Sequence, residues 1–117
     1  MNVITIAITT LAALVFFAAA SVKLTGQEHS LATRDRLGIQ PAQWRLLAIL
    51  EIAGAAGVLA GFVIRPLGIL AAAGLVLMSL GALAAHVRMG DLRTRGAAAI
   101  LALVLCTAAL ILQVTTA

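Results

Sequence analysis

The chain has little of what a water-soluble domain requires. Only 10% of its 117 residues are charged, where soluble domains carry about 25%. Tyrosine is absent, and one tryptophan with three phenylalanines brings the aromatics to 3%. Eight lysines and arginines give a net charge of +4 and a pI near 11.3. They are scattered among connections with no aromatic platform beside them, which excludes a nucleic-acid-binding surface. The single cysteine, Cys106, excludes a disulfide scaffold. Placed mid-helix without a partner, it is a packing residue and not an exchange thiol. His29 falls in a hydrophilic connection and only His86 is near an apolar run, so haem held between two histidines is excluded. The remaining ligand types are too few to build a metal site.

What the chain does have is hydrocarbon. Hydrophobic residues make up 63% of it and the mean hydropathy is +1.16. A small soluble domain buries only about 60–70% of its surface and could not hide so much apolar area. Four stretches, Val3–Val22, Trp44–Ile64, Pro66–Val87 and Ala97–Val114, are long enough for a core of about 30 Å, which takes about 20 helical residues. Continuous apolar runs without period-two alternation argue for helices and against a barrel. The expectation is an all-α membrane protein: one integral domain over residues 1–117, folded as an antiparallel bundle of four transmembrane helices.

Ala18-Ala19-Ala20-Ser21 resembles a signal-peptide cleavage site, but no basic region precedes it and the apolar run is too long. Lys23, Arg34, Arg36 and Arg45 lie in or beside the connection between spans one and two, and Arg88, Arg93 and Arg95 between spans three and four. Arg65 alone lies between spans two and three. By the positive-inside rule, connections 23–45 and 88–96 are cytoplasmic and both termini face outward. Gln40-Pro41 opens the second helix with Trp44 as an interfacial anchor, and Arg65-Pro66 forms a short outer turn. Met89-Gly90-Asp91 forms another short connection. The longest connection, Thr25–Gln43, carries Leu31, Leu37 and Ile39 among its charges. It lies on the membrane surface or forms a solvated linker. Two short segments, Ala20–Gly26 and Ala84–Gly90, echo each other weakly, as chance allows in an Ala-rich chain.

Lipid gives no hydrophobic drive between helices, so packing relies on small residues and polar contacts. Gly54, Gly57 and Gly61 on the second span, with Gly68, Gly74 and Gly81 on the third, suit close approach within one chain or in a homo-oligomer. Ionisable residues inside spans are costly and mark functional sites by default. Three occur: Lys23 ending the first span, Glu51 inside the second and His86 near the end of the third. Span direction puts all three in the same half of the membrane, with Glu51 about 10 Å deep. Each shares a helical stripe with small or polar residues: Lys23 with Thr5, Thr9, Ala12, Phe16 and Ala19; Glu51 with Leu47, Gly54, Val58 and Gly61; His86 with Leu75, Ser79 and Ala82. Lys23 alone can snorkel to headgroups and His86 alone can sit at the interface. The short Glu51 side chain has no such escape. Together they predict a narrow polar chamber with a Lys23–Glu51 pair.

A carboxyl there can carry a proton, a neighbouring ammonium favours its charged form, and an imidazole relays protons near neutral pH. Lys23, Glu51, Ser79 and His86 are thus candidate ligand-binding residues, and Glu51 and His86 candidate acid–base catalysts.

Three pieces resemble the DoxX-like family of small four-span bacterial membrane proteins: Ala19-Ala20-Ser21-Val22-Lys23-Leu24, the run Leu50–Leu59 containing Glu51, and Ala84-Ala85-His86-Val87-Arg88-Met89-Gly90-Asp91. The resemblance implies an embedded four-helix bundle in the bacterial inner membrane, with some relatives serving quinone-linked sulfur or thiol redox systems. Three functions follow as expectations. The first is a membrane subunit that holds a quinone-like or other lipophilic molecule, with no intrinsic cofactor and with electrons supplied by a redox partner protein. The second is a stand-alone enzyme, an isomerase or hydrolase, acting on an apolar epoxide or carbonyl compound. The third is a small proton-coupled exporter. It is the weakest, because the small multidrug transporters it resembles place their glutamate in the first helix and are richer in aromatics.

Overall fold

In a computed structural model, residues 2–90 and 96–115 are described. Arg93 and Arg95, part of the expected charge asymmetry, and Asp91 of the expected Met89-Gly90-Asp91 connection lie outside them. The described residues form five helices: α1 (Val3–Leu24), α2 (Glu28–Leu37), α3 (Pro41–Ala60), α4 (Arg65–Met89) and α5 (Ala97–Thr115). Four of these are long and apolar enough to cross a membrane; α2 is not among them. The chain is an all-α, multi-pass membrane bundle.

Local chemistry sets the helix ends. Asn2 Oδ1 accepts the Thr5 backbone N–H at 2.8 Å and starts α1. Pro41 opens α3, where Gln43 Oε1 accepts the Gln40 N–H at 3.3 Å. Gly38 and Gly90 end α2 and α4 in the left-handed region at φ +72° and +71°, a conformation without penalty only for glycine. The turn between α3 and α4 is built by Gly61–Ile64. Arg65 and Pro66 therefore belong to the first turn of α4 and not to the outer turn expected from sequence. Freed from the turn, Arg65 caps another helix. Its Nε and Nη2 donate to the Gln113 and Val114 carbonyls, each at 2.8 Å, two acceptors that a helix C-terminus leaves open.

The long helices form a ring in the order α1, α3, α4, α5, with α5 returning to α1. Their outer faces carry large apolar residues such as Leu14, Ile49, Leu70, Leu77 and Val104. Only 22–33% of each span's most apolar window is fully buried in the bundle, which leaves extensive apolar surface of the kind lipid covers. Inside, Ala13, Phe16, Ala55, Val58, Ala72, Leu75 and Cys106 fill the middle layer. Ala12, Leu105 and Ala109 join α1 to α5.

The glycines of α3 work within the chain. A Cβ built on Gly54 would meet Leu75, and one on Gly57 would meet Ala71 Cβ at 2.6 Å. Gly61 and Gly68 meet backbone to backbone: a Cβ on Gly68 would lie 2.5 Å from Gly61 Cα. Gly74 and Gly81 have open space before them. Beside the Gly61–Gly68 crossing lies Gln113, fully buried, whose Nε2 donates to Thr9 Oγ1 at 3.4 Å and to the Val58 carbonyl at 3.3 Å. This polar tie spans α1, α3 and α5 at the end of the bundle opposite Lys23.

Candidate functional site

The four residues singled out by type and spacing converge. Lys23, Glu51, Ser79 and His86 line one cavity of about 700 Å³ at the end of the bundle where α1 and α4 finish and α3 and α5 begin. Most of its wall is apolar, with Val15, Phe16, Val22, Leu47 and Met78 among the contributors. Toward the middle of the bundle it ends at Phe16, which belongs to the core layer.

Each functional side chain is placed by a helix whose inner stripe could be read at three- and four-residue spacing. Glu51 lies on the α3 stripe Trp44, Ala48, Glu51, Ala55, Val58 and is only 6% exposed. Lys23 is in the last turn of α1, and its stem reaches back to Glu51. The ammonium donates to Glu51 Oε1 at 2.5 Å, with side-chain exposures of 14% and 7%. The pair links two helices, and each charge supplies the compensation the other lacks in hydrocarbon. Ser79 and His86, both buried, lie two turns apart on the α4 stripe that also holds Ala72 and Leu75. Ser79 Oγ is 3.7 Å from Cys106 Sγ, so the hydroxyl facing the cavity also touches α5.

Two features departed from the sequence reading. The Thr25–Gln43 connection contains a ten-residue helix, α2, which lies over the cavity mouth and lines it with Ser30, Thr33 and Leu37. Trp44, expected as an interfacial anchor, is turned into the protein and is 7% exposed. Its indole Nε1 donates to Ser30 Oγ at 3.1 Å, and the Lys23 ammonium sits 5.0 Å from the ring centroid, within cation–π reach. The indole N–H thus has a buried acceptor on α2, as a buried tryptophan requires. Gln27 and His29 also line the cavity. A polar i, i+3 pair, Gln27 and Ser30, in an otherwise charged segment was the available sign that one face of α2 looks inward.

The arrangement combines an ion pair, an aromatic wall, a hydroxyl and an imidazole at the polar end of a largely apolar pocket. It can hold an amphiphile by its head, and it puts a carboxyl and an imidazole on the same cavity. Among the described residues, no group of three or more His, Cys, Asp or Glu side chains is placed to hold a metal ion.

Comparison with known proteins gives one match. The sequence model described as the DoxX-like family matches residues 7–111, nearly the whole chain and all four long helices. Neither the curated proteins nor the solved structures yield a match.

Proposed function

The chain belongs to the DoxX-like family, and from that membership together with the cavity we propose that it binds a membrane-dissolved small molecule with a polar head, of the quinone type. The Lys23–Glu51 pair on the wall of the 700 Å³ cavity carries this reading. Pockets for such ligands are concave and mostly apolar, with a few convergent polar groups. A quinone carbonyl is an acceptor that the ammonium of Lys23, the imidazole of His86 and the hydroxyl of Ser79 are chemically suited to meet. As the family resemblance implies, the protein would act as a subunit that receives electrons from a partner protein.

The charge pattern supports a bacterial inner-membrane location with both termini outside and connections 23–45 and 88–96 in the cytoplasm. The cavity then opens in the cytoplasmic half. The test is retention of ligand through purification. Native mass spectrometry of wild-type protein should show a bound lipophilic compound that is reduced in Glu51→Gln. A wild-type protein free of any such compound, and unable to take up an added quinone, would overturn the reading.

A second reading rests on Glu51 and His86 facing one cavity: a stand-alone isomerase or hydrolase with these two as acid and base. Turnover of an apolar epoxide or carbonyl compound by the purified chain, abolished by Glu51→Gln, would establish it. The exporter reading draws no support from a cavity that stops at the Phe16 layer.

A further inference from the structure

At the end of the bundle α2 contributes to the cavity wall, fastened by the Ser30–Trp44 hydrogen bond and by Arg36 Nη2 donating to the Met89 carbonyl at 3.3 Å. On the flank the wall is made by α1 and α5. On α1, Ile8, Ala12, Val15, Ala19 and Val22 recur at helical spacing on one face; on α5, Ala98, Ala102, Leu105 and Ala109 do the same.

In the half of the bundle remote from the cavity these two faces touch. Ala12, Leu105 and Ala109 form a buried cluster, with Ile8 and Val15 packed on it. In the other half the same two faces turn to the cavity: Val15, Ala19 and Val22 of α1 and Ala98 and Ala102 of α5 line it. Ala18 and Ala98, both on the lining, are exposed. On α5 the cavity lining is alanine, at Ala98, Ala99 and Ala102, while the large apolar residues Ile100, Leu101 and Val104 are exposed.

We propose that α1 and α5 part beyond Val15 and Leu105 and that the gap between them is a lateral portal, through which a single-tailed amphiphile passes from the acyl-chain region into the cavity. The inference rests on the ligand-binding reading above and adds the ligand's tail and its path. The head lies at the Lys23–Glu51 pair, the tail occupies the α1–α5 gap, and Ala98 and Ala102 set the thickness of tail admitted. A molecule dissolved in hydrocarbon crosses this route without leaving apolar surroundings. The route beneath α2 passes Gln27, His29 and the charged end of the bundle.

The chain holds one tryptophan and no tyrosine, and Trp44 lines the cavity, so its emission reads occupancy directly. Two probes are titrated into protein in nanodiscs: a benzoquinone bearing a decyl tail, and the same benzoquinone without it. In Ala102→Phe the decyl compound should quench Trp44 with affinity weakened about tenfold or more, while the tail-less compound binds within about twofold of wild type. Ala98→Leu, a milder filling of the gap, shows the same selectivity at smaller amplitude and carries the test should Ala102→Phe fail to fold. Equal effects on the two probes, or none on either, would overturn the portal and leave the site reading standing. Failure of both probes to quench the wild-type protein would overturn the site reading and the portal with it.

Discussion

Replacing Lys23 by methionine should destabilise the bundle more than replacing Glu51 by glutamine, and the double variant should recover most of the loss. The reason is the unequal reach of the two side chains. Lys23 lies in the last turn of α1 with 14% of its side chain exposed, so an ammonium released from its partner can swing along the helix toward headgroups. Glu51 lies inside α3 with 7% exposed, and its short stem leaves the carboxyl in the cavity wall. Breaking a buried pair from one side costs about 3–5 kcal/mol. The low end, about 3 kcal/mol, is expected for Lys23→Met. About 1 kcal/mol is expected for Glu51→Gln, whose amide keeps the shape and whose freed lysine finds water. The double variant has no stranded charge and should lose only about 1 kcal/mol, a coupling of about 3 kcal/mol between the positions. Equilibrium unfolding in mixed micelles, followed by Trp44 emission, gives all four corners of the cycle. Losses below about 0.5 kcal/mol for both single variants, or strict additivity, would refute the pair as a structural and electrostatic unit.

Other outcomes follow from the same coordinates. Gly68→Ala would press a methyl against Gln113 Oε1 and place it 2.5 Å from Gly61 Cα; a drop in unfolding free energy of about 2 kcal/mol is expected. Gly81→Ala, with nothing within 4 Å, should be neutral or stabilise by up to about 1 kcal/mol; similar losses for the two would contradict the close α3–α4 crossing. Cys106→Ala removes one buried sulfur from the core layer and should cost about 1 kcal/mol, while Glu51→Ala costs more and lowers ligand retention; equal tolerance in thermal unfolding and native mass spectrometry would contradict the role given to Glu51. A cysteine placed at Asn2 should react with a membrane-impermeant maleimide added to intact cells, against a low background because Cys106 is buried; reaction only after lysis would reverse the orientation.

Much of this was readable from the chain, for physical reasons that also mark where reading stops. A helix in lipid must satisfy its own backbone, so long apolar runs announce spans directly. The observed α1, α3, α4 and α5 differ from the expected stretches mainly at their ends, where Pro41 and Arg65 extend helices beyond the apolar run. The Lys23–Glu51 meeting was legible because an acid inside a span has few partners and Lys23, nearer the surface, has a stem long enough to reach it. Trp44 was misjudged because an aromatic near a helix start has two uses, and the choice depends on Ser30, fourteen residues earlier in a segment without hydrophobic periodicity. The role of α2 was hidden for the same reason. Gln113 was not singled out. Its spacing of four and seven from Ala109 and Cys106, on the buried stripe of α5, was the signal that could have found it.

The central claim is that the space beside Lys23, Glu51, Ser79 and His86 is where a lipophilic ligand rests. Photo-crosslinking with an azido-quinone in native-like bilayers, followed by peptide mapping, tests it most directly. Adducts should fall on cavity-lining residues of α1, α3 and α4, such as Val22, Leu47 and Met78, and vanish when unlabelled quinone competes. Adducts spread over lipid-facing residues such as Leu70 and Leu77, insensitive to competitor, would contradict it.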